Sequence, residues 1–224
     1  MNIEPIAHLH NDFPEKFGLP RQSGLAENLI SKIVMEKPYQ VMDAFRGITG
    51  YSHLWLLWEF DPLTDQTGFH PTVRPPKLGG NERVGVFATR SPNRPNRLGL
   101  TLVRLIRLEE SETNGPVLVV AGADMRSGTA IYDIKPYIPY ADQAPDAAGG
   151  FTERIHVDPL AVVYECAVPG DLTKSDLTTL NEVLSLDPRP GYQNDSHRIY
   201  GMSYRNYQIR FRIENETIYV MVIE

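Results

Sequence analysis

Residues 74–100 read RPPKLGGNERVGVFATRSPNRPNRLGL, and the fold turns on how this stretch is parsed. It opens on Arg74-Pro75-Pro76, bends at Gly79-Gly80 and runs apolar from Val84 to Ala88. It then carries Arg90, Arg94 and Arg97 among Pro92, Asn93, Pro95 and Asn96. Proline lacks an amide donor, so neither Pro92 nor Pro95 belongs inside a paired strand. Residues 91–97 therefore read as an exposed, stiff loop bearing guanidinium groups, fed by a strand over 83–89 and left by a strand over 98–108. A plain basic hairpin loop is the ordinary reading. The sharper one is a rigid scaffold that aims Arg90, Arg94 and Arg97 at an anion.

Outward from this stretch, residues 3–10 alternate weakly and read as a strand, and 30–35 as another. Between them, Pro14, Gly18, Pro20 and Gly24 mark a long loop, a length that is often functional. Tyr39, Met42 and Phe45 have helical spacing and suggest one or two turns. The run HLWLLWEF at 53–60 reads as a strand buried on both faces, with His53 as a capped histidine at its end. Residues 117–121 follow the Asn114-Gly115 turn and pair with 98–108 as a hairpin, and 130–134 alternates as a further strand. Six or seven short strands with little helix argue for a mainly β architecture, an antiparallel sheet closed into a barrel.

Residues 141–150 are small and acidic, and the boundary is set there: a barrel over 1–145 and a small α+β domain over 146–224. The second part is expected to hold a strand over 161–168 and a helix over 174–186 capped by Asp171 or Thr173. Leu177, Leu180 and Leu184 share one face of that helix. A hairpin of 204–213 and 217–223 turns at Asn215.

The 224-residue chain has a net charge of −6, so any nucleic-acid site must be a local patch. Cys166 is its only cysteine, which rules out an internal disulfide and favours a reducing cytoplasm. The N-terminus shows no signal-peptide pattern, and no apolar run is long enough to span a bilayer. No GxGxxG follows a strand, and the six histidines are scattered, so neither a Rossmann enzyme nor a metal site is expected.

The motifs Pro20-Arg21-Gln22, His53-Leu54-Trp55, RPPKLGG at 74–80 and VGVFATRSPNRPNRLG at 84–99 assemble with GTAIYDIKPY at 128–137 and DPRPGY at 187–192. With them the chain resembles, over nearly its whole length, the TsaA/YaeB family, the tRNA N6-adenine methyltransferases called TrmO. The resemblance implies a non-Rossmann β-barrel enzyme that uses S-adenosylmethionine to methylate N6-threonylcarbamoyladenosine next to the anticodon of threonine tRNA. It also implies a homodimer. The cofactor positions it implies are Pro20, Arg21, Gln22, His53, Leu54, Arg90, Leu100, Ser127, Gly128, Thr129 and Ala130. The family usually has Asp where this chain has Ser127, so one carboxylate beside the cofactor is missing.

The chemistry fits that expectation. Arg90 or Arg21 suits the cofactor carboxylate as a bidentate fork, Gly128 lets backbone come close, and Leu54 and Leu100 suit the adenine or thioether. Methyl transfer is an in-line displacement that depends mostly on positioning. The attacking nitrogen bears a proton, and Asp133, Lys135 and Tyr137 are candidate acceptors, although Asp133 and Lys135 equally suit pairing with each other. Arg94 and Arg97 in the loop, with Arg198 and Arg205 in the tail, are the expected RNA contacts. Two other readings stay open. One is a same-fold methyltransferase acting on another RNA or a small molecule; the other is a non-catalytic cofactor- or RNA-binding protein, which only Ser127 favours.

Overall fold

In the computed structural model, residues 2–61, 68–75, 82–155, 158–189, 193, 195 and 197–224 are described. The Gly79-Gly80 bend and the Pro190-Gly191-Tyr192 end of the tail motif lie outside them. Strands β1 (Ala7–His10), β2 (Ile30–Met35) and β3 (His53–Glu59) are followed by a two-residue pair, β4 (Thr72–Val73) and β5 (Val84–Gly85). Then come β6 (Leu98–Ser111), β7 (Gly115–Ala121) and β8 (Thr129–Pro136). β1, β2, β7, β6, β3 and β8 close in that order into a barrel whose neighbours are all antiparallel.

Period-two patterning sets the barrel's inside. Along β3, Leu54, Leu56 and Trp58 are buried, while the residues between them are only partly covered. The expected burial on both faces is therefore replaced by alternation, the outer residues being only partly covered, as where Trp55 meets Tyr137 and Asp142. Inward side chains from the other strands, among them Leu9, Ile33, Val103, Leu118 and Ile131, complete one apolar core.

The expected strand over 83–89 is corrected. Only Val84–Gly85 pairs, with β4, and Val86–Ala88 is a 3₁₀ turn. The Val86 amide donates to the Pro71 carbonyl across 2.9 Å, and the Thr89 hydroxyl caps the Val86 carbonyl at 2.8 Å. The turn is thereby satisfied locally, and Pro92 beyond it blocks further pairing. Residues 91–97 form the stiff loop expected. The Arg94 guanidinium donates to the Thr89 and Ser91 carbonyls at 2.7 and 3.2 Å, so the loop is braced by its own arginine.

After the four-residue helix α1, which lies at the end of the first part, the second part contains β9 (Ala161–Tyr164), shorter than expected, and then helix α2. α1 is Pro139–Asp142 and α2 is Lys174–Ser185. Strands β10 (Tyr200–Tyr204), β11 (Tyr207–Glu214) and β12 (Thr217–Ile223) follow. The sheet order is β10, β11, β12, β9, with β9 parallel to β12. Thr173 caps α2 in a reciprocal capping box with Asp176, an arrangement that contributes about 1 kcal/mol. The expected strand over 204–213 splits, since Arg205 takes φ 51° and makes a tight turn between β10 and β11.

The long loop over 11–29 is more than a solvated connection. Phe13, Ala26 and Leu29 are buried in the core of the second sheet, and Phe13 meets Tyr204 edge to face at 5.1 Å. Gly18 sits at φ +96°, and a Cβ there would lie 2.8 Å from the Met202 methyl. The loop is a strap that seats the second sheet against the barrel.

Candidate cofactor and RNA site

One mouth of the barrel gathers four stretches that are distant in the chain. The Arg90 guanidinium donates to the Gln22 side-chain oxygen across 2.7 Å. The Gly24 amide donates to the Gly122 carbonyl at 2.9 Å, and the Ser127 amide to the Phe13 carbonyl at 2.8 Å. On β6, the Thr101 hydroxyl donates to Asp124 at 2.7 Å, while the neighbouring Leu100 is 57% exposed. The basic loop thus meets loop 20–24 through Arg90, that loop meets the residue after β7 through Gly24, and Asp124 just beyond it is tied to β6 through Thr101.

Within the turn, Gly128 holds φ +85° and is exposed, and a Cβ there would meet nothing nearer than the Arg126 guanidinium at 3.6 Å. The Gly128 amide is bound to the Leu9 carbonyl at 2.7 Å, and the Thr129 hydroxyl to the Arg126 carbonyl at 2.8 Å. Ser127 Oγ accepts from the Asn11 amide at 3.3 Å. Ala130 is paired with His8 in the barrel wall. The amides of Ser127 and Gly128 are already committed, so the turn offers an open glycine surface rather than spare donors.

The other expected site residues divide. Pro20 is buried. Arg21 reaches away to the tail and donates to the Arg189 carbonyl at 2.6 Å, which leaves Arg90 as the better partner for a cofactor carboxylate. Leu54 is 0% exposed, its side chain spent on the barrel core and not on a ligand. His53 binds the Ser52 hydroxyl at 2.9 Å and meets Tyr137 edge to face at 6.2 Å, at the head of its strand.

Asp133 and Lys135 pair with each other at 2.7 Å on the outer wall, which is the structural alternative to their role as proton acceptors. Arg97 pairs with Glu59 at 3.0 Å, and Glu59 also accepts from the Tyr132 hydroxyl at 2.6 Å. That carboxylate raises the affinity of the Tyr132 phenol for its proton. Arg94 and Arg97 line a cavity of about 440 Å³ together with His70 and Pro95. Arg198 lies over the Tyr200 ring at 5.5 Å. Arg205 is clamped by Asp176 at 2.6 Å and Asp12 at 3.2 Å, which sets it apart from the other expected phosphate contacts.

Residues 8–143 match the model for the tRNA-methyltransferase O N-terminal domain, and residues 160–224 match that for the TrmO C-terminal domain. The chain belongs to the tRNA-methyltransferase O family. The tRNA (adenine(37)-N6)-methyltransferase of Escherichia coli is 36% identical over 230 residues, covering 99% of this chain and 97% of that protein. A protein of the same description from Eikenella corrodens is 43% identical over 166 residues, covering 73% of this chain and 92% of its own. The crystal structure of TrmO from Pseudomonas aeruginosa superposes with a TM-score of 0.80 at 26% identity, covering 100% of this chain and 98% of that one.

For a TrmO-family chain, sequence reasoning missed three groups at this mouth: Asp124, Thr101 and Trp58. The Trp58 indole donates to the Thr101 hydroxyl at 2.8 Å, and that hydroxyl passes its own proton toward Asp124. Burial pushes the Asp124 carboxyl above its ordinary range, against the Thr101 hydroxyl, its own amide and the Arg90 charge. The one hint in the sequence was an acid set between the apolar Ala123 and Met125, both of which are buried. Asp61 was also missed. It ties Arg126 at 2.5 Å and Lys16 at 3.2 Å, and the Arg126 hydrogen bond lowers its carboxyl to about 2.

Proposed function

We propose that this protein transfers a methyl group from S-adenosylmethionine to N6 of N6-threonylcarbamoyladenosine, next to the anticodon of threonine tRNA. By family the chain is a tRNA adenine-N6 methyltransferase. The observation that supports a cofactor site is the Arg90–Gln22 contact beside the Gly24–Gly122 and Thr101–Asp124 contacts, with the open Gly128 turn four residues beyond Asp124.

The residues present fit the cofactor. Arg90 is an exposed guanidinium held in place by Gln22, suited to a carboxylate. Gly128 leaves open surface for close approach, and Leu100 gives an exposed apolar wall. When bound, the cofactor supplies an electrophilic methyl on a positively charged sulfur. What the protein adds is position, since in-line displacement gains most from aligned reactants.

For RNA, the cavity with Arg94 and Arg97 supports contact with phosphate near the cofactor, and Arg198 supports a second contact in the tail. Phe69 and Phe87, both exposed and stacked at 6.0 Å, support an apolar face covered by a second copy in a homodimer. We place the protein in the cytoplasm, where its tRNA is, and keep the division at 145/146 as its domain boundary. Incubation with tritiated S-adenosylmethionine and threonine tRNA, with and without the threonylcarbamoyl group, tests the reading. Label should enter only the modified tRNA, and label entering neither would overturn it.

A further inference from the structure

The reaction leaves one proton unassigned. As N6 takes the methyl group its N–H becomes strongly acidic, and some group beside the cofactor must accept that proton. Asp133, Lys135 and Tyr137 are poorly placed for it. Asp133 is ion-paired to Lys135 on the outer wall, and Tyr137 packs against His53 and Trp55.

Asp124 differs from them in three ways. It stands at the mouth itself, in the segment between Gly122, which is bound to Gly24, and Ser127, which is bound to Phe13. It is partly buried, and among the described residues the one side chain that donates to it is Thr101. The charged group that acts on it is Arg90, from the basic loop; the nearby Arg126 turns instead to Asp61. Thr101 accepts from Trp58 and so spends its only proton on Asp124 Oδ1. This relay runs from the barrel core outward and fixes which carboxylate oxygen is already occupied. Oδ2 receives no side-chain hydrogen bond among the described residues.

We propose that Asp124 is the general base that takes the N6 proton during methyl transfer. This rests on the methyltransferase reading above. The N6–CH3 bond forms as the S–CH3 bond breaks, and the sulfonium of the methyl donor becomes a neutral thioether. The N6–H proton passes to Asp124 Oδ2, so charge and atoms balance. Burial suits the carboxylate to this, because a carboxyl raised from its ordinary range is the better proton acceptor.

Asp124→Asn keeps the shape and the acceptor for Thr101 but removes the base. With parent, Asp124→Asn and Thr101→Val proteins, single-turnover transfer to modified tRNA is followed across pH at saturating cofactor. Cofactor and tRNA affinities are measured on the same samples, and aspartate carboxyl titration is followed by NMR on the free proteins. Asp124→Asn should slow transfer about 100-fold or more while leaving both affinities within roughly threefold. The parent should show an acid limb in rate and one carboxyl titrating above the others, absent in Asp124→Asn. Thr101→Val loses a donor to the ionised carboxylate. It should move both the limb and that titration to higher pH by roughly one unit.

Three results would overturn the assignment. Transfer by Asp124→Asn at near the parent rate would show that another group takes the proton. Loss of cofactor affinity with an unchanged single-turnover rate would make Asp124 a cofactor ligand instead. An acid limb that Thr101→Val does not move would detach it from Asp124. Absence of transfer in the parent itself would instead defeat the underlying reading, and the assignment with it.

Discussion

Arg90 and Gln22 are hydrogen-bonded across 2.7 Å, and that contact joins two stretches 68 residues apart at the barrel mouth. Gln22 sets the direction of a guanidinium that would otherwise sweep freely in solvent. Arg90→Ala should therefore weaken S-adenosylmethionine binding by about 1.5–3 kcal/mol, the scale of a hydrogen bond to a charged group. Gln22→Ala should weaken it less, since the charge stays while its orientation is lost. Calorimetry on both variants checks the order, and equal affinity in all three proteins would place the carboxylate elsewhere.

Gly99 and Trp58 are a second close relationship. A Cβ at Gly99 would fall inside van der Waals contact of the Trp58 indole, which is buried and already tied to Thr101. Gly99→Ala should destabilise the fold by about 1–3 kcal/mol, the usual cost of overpacking a core. Chemical denaturation measures it, and stability at the parent value would mean the indole yields freely.

Asp61 makes stability pH-dependent on the acid side. The Arg126 hydrogen bond holds its folded carboxyl down at about 2, below the ordinary 3.8. The stability it contributes is present above the unfolded value and is lost as pH falls through the folded one. Between pH 4 and 2 the parent should lose stability faster than Asp61→Asn. Denaturation midpoints at several acid pH values give the comparison, and parallel curves would remove Asp61 from the account.

Arginines in the two parts should behave differently. Arg205 is held by Asp176, a carboxylate only 5% exposed, so Arg205→Ala should cost about 1–3 kcal/mol of stability. Arg94→Ala and Arg97→Ala should each flatten the salt dependence of tRNA binding by roughly one unit of log–log slope. Binding titrations at several salt concentrations, beside thermal melts, separate the two roles. If Arg205→Ala flattened the slope without loss of stability, it would be the RNA contact instead.

Much of the fold was legible because local patterning and global closure agreed. Short apolar runs gave β2 and β3, alternation gave β8, and the Asn114-Gly115 turn gave the hairpin of β6 and β7. Thr173 and the leucine spacing gave α2. What failed lay where tertiary contacts decided. Residues 83–89 look like a strand, but the Pro71 carbonyl and the Thr89 hydroxyl turn them into a 3₁₀ turn with Phe87 72% exposed. Arg205 breaks a strand because its side chain is claimed by Asp12 and Asp176 across the strap. At the site, motif residues such as Arg90 and Gln22 could be named from the sequence. Asp124 could not, because its character comes from burial and from a hydroxyl 23 positions away.

The most direct test is mass spectrometry of nucleosides from threonine tRNA, comparing the parent strain with one that lacks this protein. The account predicts that the methylated N6-threonylcarbamoyladenosine disappears in the deletion strain, that its unmethylated form accumulates, and that the parent gene restores the original pattern. An unchanged level of the methylated nucleoside in the deletion strain would contradict it.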